Sequence, residues 1–288
     1  MLSTIETIAE LRATLDTRRR DGQSVGFVPT MGYLHDGHVS LMRAARRENE
    51  VVVASIFVNP LQFAANEDLA WYPRDLERDT ALAEGAGVDL LFTPSVTEMY
   101  PRPMMATVSL PELSQAWEGA SRPTHFDGMA TVVHKLFNIV GACTAYFGEK
   151  DYQQLQIIRR MVADMSVPVE VVGCPIIRES DGLAMSSRNT YLDRQQRAAA
   201  AVLRRALDRG MELLRGGERS SVAVMAAMAE VIHAEPLAEL DYAAAVDAAT
   251  LTVPELLSGE IRLLIAAQVG RPRLLDNDGL DLAMEGTS

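Results

Sequence analysis

Val25-Gly-Phe-Val-Pro-Thr-Met-Gly-Tyr-Leu-His-Asp-Gly-His38 carries, in direct succession, the sequence features of a strand, a tight turn and a helix start. The apolar run Val25 to Val28 is typical of a buried strand, and Pro29, which cannot donate to a central ladder, predicts where that strand ends. Beyond it, apolar residues recur at helical spacing with arginines between them, so we expect a helix to begin close to Gly37. The stretch therefore predicts the first half of a βαβ unit.

The sequence on either side extends this unit into an open sheet. Val51 to Val58 is a continuous apolar run, typical of a parallel strand covered on both faces. Further strands are predicted at Val88 to Phe92, before Gly148 and at Val169 to Cys174, each separated from the last by helical sequence. We expect a Rossmann-like open parallel sheet with helices on both faces. Residues 1 to 20 read as one amphipathic helix that precedes it.

After Ile176 the character of the chain changes. A polar loop, Arg178 to Asn189, leads into helical sequence rich in alanine and arginine. Two strand patterns close the chain, Tyr242 to Val246 and Ile261 to Val269, and the turn at Gly270 predicts that the second pairs antiparallel with Leu274-Leu275. The fold class is therefore α/β with a smaller α+β C-terminal domain. We place the domains at 1–176 and 177–288.

His35 and His38 stand at the predicted helix start, three residues apart. The N–H groups and positive dipole end of such a helix face the crevice where parallel α/β sheets bind ligands, so the two imidazoles suit a polyphosphate. Capping or metal-binding histidines are the alternatives, although neither cysteine lies near enough to complete a zinc site. The chain has no GxxxxGK[ST] loop and no GxGxxG fingerprint, so a nucleotide would be held by other means.

Two more strand ends carry polar residues. Asn59 and Gln62 directly follow the strand that ends at Val58, where they can either form a turn or contact a substrate. Gly148 to Asp151 follow the predicted fourth strand and should meet the same crevice as the histidines. We expect substrate contacts at Asn59 and Gln62.

Composition restricts the class of partner. The 288 residues carry a net charge of −12, which argues against a nucleic-acid or anionic-membrane binder. The first residues carry acids where a secretory signal would carry bases, so a cytoplasmic location is the expectation. Cys143 and Cys174 fit reduced, packed thiols better than a disulfide or metal site.

Lysine is scarce in this chain. Among 27 basic residues only Lys135 and Lys150 are lysines, and an ammonium differs from the planar guanidinium fork of arginine. Chance base composition would also leave a few lysines at random. The position of Lys150 beside the predicted crevice favours a functional role for it.

Four blocks resemble the signature sequences of the pantothenate synthetase family, in that family's order. They are Pro29-Thr-Met-Gly-Tyr-Leu-His-Asp-Gly-His38, Asn59-Pro-Leu-Gln62, Gly148-Glu-Lys-Asp-Tyr-Gln-Gln154 and Met185-Ser-Ser-Arg-Asn189. The first and last also resemble the HIGH and KMSKS signatures of the wider superfamily of adenylyl-transferring enzymes. The similarity covers nearly the whole chain and weakens beyond about residue 195.

This resemblance implies an activity and a set of site residues. The activity is ATP-dependent condensation of pantoate with β-alanine through a pantoyl adenylate, releasing AMP and pyrophosphate, with Mg²⁺ accompanying ATP and a homodimer as the assembly. His38, His35, Lys150 and Arg188 would be catalytic, Gln62 and Gln154 would hold pantoate, and Asp79 would lie near the metal. The implied ATP contacts are Met31, Gly32, Tyr33, Leu34, His35, Asp36, Gly37, His38, Gly148, Glu149, Lys150, Asp151, Ile177, Met185, Ser186, Ser187 and Arg188.

Two other functions remain open at this point. A related nucleotidyltransferase would stop at the adenylylated product, although such enzymes lack the paired amides at Asn59/Gln62 and Gln153/Gln154. A nucleotide-sensing protein would keep the fold without turnover, which the intact His38, Lys150 and Arg188 argue against. Formation of AMP that requires both pantoate and β-alanine would separate the three.

Overall fold

The structure is a computed structural model that describes residues 2–63, 69 and 72–283. Its residue contacts divide the chain into two compact units, Met1–Glu149 with Gln153–Pro175, and Lys150–Tyr152 with Ile176–Ser288. Residues 284–288, which end the predicted second domain, lie outside the described ranges. Lys150–Tyr152 group with the second unit although they follow a strand of the first.

The first unit is built on a six-stranded sheet in the order β1-β4-β3-β2-β5-β6, in which every neighbouring pair is parallel. This confirms the predicted open parallel α/β sheet. Its elements in chain order are β1 Ser3–Ile5, α1 Ile8–Arg20, β2 Val25–Thr30, α2 Asp36–Glu48, β3 Val51–Ile56, α3 Leu76–Gly85, β4 Leu90–Phe92, α4 Val96–Met99, α5 Pro111–Ser114, α6 Glu118–Ser121, α7 His125–Val140, β5 Cys143–Gly148, α8 Tyr152–Asp164 and β6 Val169–Cys174.

Strand β2 lies in the middle of this sheet. It pairs with β3 along its whole length and with β5 at Gly26 and Phe27. The predicted strand end at Pro29 was wrong, since β2 continues to Thr30. Because the pairing with β5 stops at Phe27, the missing N–H of Pro29 removes no hydrogen bond from that ladder. The strand order reverses between β2 and β5, which is where open α/β sheets bind ligands.

The N-terminal segment differs from the prediction of a single helix over residues 1 to 20. Ser3–Ile5 is an edge strand that pairs in parallel with Leu90–Phe92, and the helix begins only at Ile8. Thr7 caps this helix by accepting from the N–H of Glu10. Three residues with one buried side chain give too short a pattern to distinguish a strand from a first helical turn.

The second unit joins three helices to an antiparallel sheet in the order β7-β8-β9. The predicted pair of strands at the C-terminus is therefore part of a three-stranded meander. Its core consists of buried aliphatic side chains from both layers, including Leu203, Leu207, Met228 and Leu263. The elements are α9 Arg194–Ala200, α10 Val202–Arg215, α11 Ser221–His233, β7 Ala238–Asp247, β8 Glu260–Val269 and β9 Arg273–Asp281.

Both cysteines are free thiols, as expected. Burial raises the pKa of Cys143 to about 12, outweighing the lowering effect of nearby Arg19. That thiol stays protonated at neutral pH and is a poor nucleophile. Within the described part of the chain, every helix is too short or too polar to cross a bilayer.

Candidate active site

The turn after β2 is built from backbone that L-residues rarely adopt. Gly32 and Tyr33 both have positive φ, 84° and 51°. A Cβ on Gly32 would lie 2.9 Å from Ile56 Cγ2, so glycine is required there for space as well as conformation. The turn places the segment from Met31 to His38 at the carboxyl end of the central strand.

Asp79, on α3, holds this turn. Its Oδ2 accepts from the N–H of Tyr33 at 2.6 Å and its Oδ1 from the N–H of Leu34 at 2.7 Å. The neighbouring Arg78 donates to the Leu34 carbonyl at 2.9 Å, and its guanidinium lies 5.3 Å from the centre of the Tyr33 ring. These contacts stabilise the strained turn from both its N–H and its C=O sides.

This arrangement does not fit the predicted role of Asp79 beside a metal. The side chain is 1% exposed and both its oxygens accept backbone N–H groups. Burial raises the pKa of Asp79, against the lowering effect of those two N–H groups and of Arg78. Among the described residues there is also no group of three or more histidine, cysteine or acidic side chains able to hold a metal. Asp79 therefore shapes the turn rather than forming a magnesium site.

His35 and His38 are brought together at the start of α2, as the sequence predicts. His35 is the N-cap residue, and its Nδ1 accepts from the N–H of Gly37 at 3.1 Å. His38 Nδ1 accepts from the N–H of His35 at 3.3 Å, and the two ring centres lie 4.1 Å apart. Because each Nδ1 is an acceptor, the proton of each neutral ring is on Nε2. The pair thus combines capping with two imidazole N–H donors at a helix N-terminus.

The other residues of the first block differ in how they can reach a ligand. Leu34 is fully buried in the core, so only its backbone is available for an ATP contact. Asp36 is exposed in the first helical turn, whereas Met31, Tyr33 and Gly37 are partly exposed.

Asn59 and Gln62 lie in and around the 3-10 turn Pro60–Gln62 after β3, and both are buried. Asn59 Nδ2 donates to Gln62 Oε1 and to the Gly128 carbonyl, each at 3.1 Å. Its Oδ1 accepts from the Tyr100 hydroxyl at 2.8 Å and from the N–H of Leu61 at 3.2 Å. Since these four bonds use the donors and lone pairs of the amide, the predicted substrate contact of Asn59 does not fit its geometry.

The side-chain amide of Gln62 makes weaker hydrogen bonds than that of Asn59. Its Nε2 lies 3.0 Å from the Met31 sulfur, and a thioether is a weak acceptor. Its backbone carbonyl is held at 2.9 Å by His125 Nδ1. The side chain is thus fixed in place with one strong hydrogen-bonding opportunity left for a ligand.

Two consecutive glutamines on α8 have different roles. Gln153 is buried, and it accepts from the N–H of Glu118 and donates to the carbonyls of Leu113 and Ala116. These bonds hold the segment that contains α5 and α6. Gln154 is partly exposed and remains the glutamine suited to a substrate contact.

The third and fourth signature blocks lie mostly in the second unit. Gly148 ends β5 in the first unit, beside β2, and Glu149 begins the 3-10 turn that follows. Lys150 Nζ lies 3.4 Å from Asp151 Oδ1, and the Lys150 carbonyl accepts from Asn277 Nδ2 at 2.7 Å. Lys150, Ser186, Arg188, Asn189 and Arg273 line one small cleft together with Leu183, Ala184, Leu274 and Leu275. Lys150 and Arg188 beside a serine suit a phosphate group, whereas Arg273 is paired with Asp241.

The loop that precedes Ser186 is a tight hairpin. Met185 N–H donates to the Ile177 carbonyl at 2.9 Å, and Arg178 forms a bridge with Ala184. Arg178 also makes a two-pronged ion pair with the buried Asp276, at 2.6 and 3.0 Å. Ile177 and Met185 are thus held at the base of the hairpin, next to Ser186, Ser187 and Arg188.

The chain is similar to known proteins over nearly its whole length. The family model described as pantoate-beta-alanine ligase matches residues 3–278. A pantothenate synthetase from Heliobacterium modesticaldum is 55% identical over 95% of this chain and 97% of its own length. One from Sinorhizobium medicae is 56% identical over 96% of this chain and 95% of its own length.

Solved structures of the same family share the fold. Pantothenate synthetase from Thermus thermophilus superimposes with a TM-score of 0.91 at 51% identity, covering 98% of this chain and 99% of the other. Pantoate-beta-alanine ligase from Francisella tularensis, solved with beta-gamma ATP and beta-alanine, gives 0.79 at 32% identity, over 96% of this chain and 97% of the other.

Proposed function

Because the chain belongs to the pantoate-beta-alanine ligase family and condenses pantoate with β-alanine using ATP, we propose that its residues carry out this reaction in two steps through pantoyl adenylate. The observation that carries the proposal is the pair of imidazoles at the N-terminus of α2, beside the point where the strand order reverses.

The chemistry requires activation of a carboxylate. In the first step a pantoate carboxylate oxygen attacks the α-phosphorus of ATP, a P–O bond forms, and pyrophosphate leaves. In the second step the neutral amine of β-alanine attacks the acyl carbon, AMP leaves with the bonding electron pair, and the amine loses a proton. Donors fixed around the phosphoryl oxygens stabilise the charge that builds up in the first step.

In the first unit, we assign Met31 to His38, Gly148 and Glu149 to ATP. The Nε2–H groups of His35 and His38 donate to phosphate oxygens, with His38 as the catalytic donor. The N-terminal N–H groups of α2 supply a favourable dipole for the same anion. Asp79 supports ATP binding indirectly, because it fixes the Tyr33–Leu34 backbone.

In the second unit, we assign Lys150, Asp151, Ile177, Met185, Ser186, Ser187 and Arg188 to ATP as well. Lys150 and Arg188 are the catalytic cations, since they line one cleft and neutralise phosphate charge. The Lys150 ammonium is a compact charge that can follow a shifting phosphoryl group. On this basis the predicted domain 1–176 binds nucleotide and pantoate, although its residues Lys150 and Asp151 group with the second unit, and 177–288 contributes phosphate contacts.

Pantoate is assigned to Gln62 and Gln154. Gln62 offers an amide donor whose partner among the described residues is a thioether, and Gln154 is the partly exposed glutamine of its pair. Magnesium is proposed to arrive bound to the ATP phosphates, because Asp79 is fully engaged with the backbone.

The last two parts of the proposal are the assembly, which rests on the family resemblance, and the location. The chain is expected to be a homodimer in the cytoplasm. Light scattering coupled to size-exclusion chromatography tests the dimer, for which a mass near twice 31.5 kDa is expected.

A rapid-quench experiment tests the two-step proposal. Enzyme mixed with ATP and pantoate, without β-alanine, should release about one equivalent of pyrophosphate per site in a burst. Arg188→Ala should slow that burst by about 10² or more, because a cation that stabilises transferring phosphate is lost. Pyrophosphate that appears only after β-alanine is added would contradict the adenylate intermediate.

A further inference from the structure

We propose that Tyr100 is a positioning residue for pantoate, which fixes the Asn59 amide and through it turns Gln62 Nε2 toward the substrate carboxylate. The inference rests on the proposed assignment of Gln62 to pantoate. Its evidence is a continuous hydrogen-bonded chain from Tyr100 to Gln62, all within the first unit.

The Tyr100 hydroxyl begins the chain as a donor. It donates to Asn59 Oδ1 at 2.8 Å. Its ring packs edge-on against Phe57 at 5.8 Å, and the Lys135 ammonium lies 5.6 Å from the ring centre. Burial raises the pKa of Tyr100 well above its ordinary value, so the hydroxyl keeps its proton at any working pH. The ring contacts fix where this donor points.

The hydrogen bond from Tyr100 helps to orient the Asn59 side-chain amide. Two donors, the Tyr100 hydroxyl and the Leu61 N–H, converge on Oδ1, while two acceptors, Gln62 Oε1 and the Gly128 carbonyl, face Nδ2. Rotating the amide by 180° would set Nδ2 against the Leu61 N–H and Oδ1 against the Gly128 carbonyl, and the Tyr100 hydroxyl would have to accept instead of donate. Such mismatches are costly for a buried amide, so Asn59 has one orientation.

Close backbone packing reinforces this orientation. A Cβ on Gly128 would lie 2.1 Å from the Leu61 carbonyl oxygen, so α7 and the turn Pro60–Gln62 meet backbone to backbone. This contact brings the Gly128 carbonyl to Asn59 Nδ2. Asn59 therefore cannot move away from its partners without displacing α7.

Gln62 receives its orientation from Asn59. Because Asn59 Nδ2 donates to Gln62 Oε1, the Gln62 Nε2 must face the other way, where its partner is the Met31 sulfur at 3.0 Å. Exchanging a thioether for a carboxylate oxygen replaces a weak hydrogen bond by a charge-assisted one. The edge of Gln62 that meets the ligand is thus a donor, which suits the carboxylate that pantoate must present to ATP.

Tyr100→Phe tests the chain while keeping the ring and its contacts with Phe57 and Lys135. We expect the KM for pantoate to rise about 5- to 10-fold, since one hydrogen bond that orients the amide pair is lost. The KM for ATP should stay within about twofold of the wild-type value. Tyr146→Phe is the matched control, because it removes a buried hydroxyl bonded to Glu48 and Asn49 elsewhere in the unit.

An unchanged pantoate KM in Tyr100→Phe would overturn the inference, as would an equal rise in the KM for ATP or the same pantoate effect in Tyr146→Phe. Addition of Tyr100→Phe to Gln62→Ala should raise the pantoate KM no further, since Tyr100 acts through Gln62. A further rise of the full 5- to 10-fold in that background would also overturn it.

Gln62→Glu separates failure of this inference from failure of the proposed function. An oxygen in place of Nε2 would face the substrate carboxylate, so we expect the pantoate KM to rise at least about 100-fold. If Gln62→Glu leaves pantoate binding intact, the assignment of Gln62 to pantoate is wrong. If Gln62→Glu weakens binding and Tyr100→Phe does not, only the role of Tyr100 is wrong.

Discussion

At the scale of single residues, the buried carboxylate of Asp79 holds the turn after β2 by accepting two backbone N–H groups. Two N–H groups on consecutive residues, Tyr33 and Leu34, point at one side chain, and a carboxylate offers each of them its own oxygen. The energetic cost appears as the raised pKa of Asp79, whose ionised form is partly desolvated. The positive φ of Tyr33 is maintained by these bonds.

Asp79→Asn is expected to weaken ATP binding more than it weakens the fold. Asparagine has one oxygen for two donors, so one buried N–H loses its partner at a cost of about 1–3 kcal/mol, partly offset by removal of a desolvated charge. The turn should relax and the KM for ATP should rise about tenfold. Steady-state kinetics and thermal unfolding measure both effects.

Asp75→Asn is the control for that variant. Asp75 caps α3 by accepting from the N–H of Arg78, and asparagine caps helices equally well. It removes the same charge from the same helix, so an equal loss of ATP affinity in Asp75→Asn would show that charge, not the turn, matters.

Residue-level prediction from sequence succeeded where partners are neighbours in the chain. The spacing of His35 and His38 places both at one helix start, and the structure brings their rings to 4.1 Å. Asn59 could not be separated from Gln62 in the same way, because its partners Tyr100 and Gly128 are distant in sequence. The role of Asp79 likewise depends on a contact that no local pattern encodes.

At the scale of elements, the start of α2 combines helix capping with the phosphate contacts proposed for His35 and His38. The Nδ1 atoms of the two imidazoles accept backbone N–H groups, which holds the rings and leaves the proton of each neutral ring on Nε2. In the proposed mechanism, capping and catalysis use opposite edges of the same ring. A substitution can in principle remove one function and keep the other.

His38→Asn is predicted to make that separation. The asparagine oxygen can replace Nδ1 as acceptor for the His35 N–H, while the Nε2–H donor of the imidazole is lost. Thermal stability should change by less than about 1 kcal/mol, and pyrophosphate release should slow by about 10² or more. Near-normal pyrophosphate release would remove His38 from the catalytic role, and a large loss of stability would show that the cap was not replaced.

Strands with more buried residues were easier to predict from the sequence. In Val51–Ile56 the first five residues are buried, and a continuous apolar run is what such a strand requires. Ser3–Ile5 buries only Ile5 and could not be distinguished from the helix that follows. The loop before Ser186 is set by the ion pair between Arg178 and Asp276, which joins segments far apart in the chain.

At the scale of the whole molecule, carboxylates decide the response to acid. The N–H of Thr250 is the main cause of the lowered pKa of Asp247, and the hydrogen bond from Arg197 lowers the pKa of Asp181. A lowered pKa means stability that is present above the unfolded value, near 3.8, and is lost as the pH falls through the folded value. Asp79 affects stability in the opposite direction. Because its pKa is raised in the folded protein, the stability it contributes is present at low pH and is lost as the pH rises through the folded value.

Asp247→Asn is expected to flatten the acid limb of the stability curve. The bonds from Ala249 N–H, Thr250 N–H and the Thr250 hydroxyl all go to Oδ1, which asparagine retains. At pH 7 the variant should be less stable by about 0.5–1 kcal/mol, and the difference should vanish near pH 2. Thermal melts between pH 2 and 7 measure this, with the exposed Glu6→Gln as control; parallel curves would contradict the assignment.

The strand order also determines when ATP could first bind to a growing chain. The turn that carries the histidines follows strand β2. One neighbour of β2 in the sheet is β5, which is synthesised much later, since Gly26 pairs with Thr144. Contacts so distant in sequence close slowly, because the intervening loop must lose its entropy first. Nascent chains that end before β5 would hold the first signature block without its companion strand. We expect them to have no nucleotide affinity. Because the proposed catalytic residue Arg188 follows the last residue of the first unit, the complete reaction must wait until the chain has been synthesised past that residue.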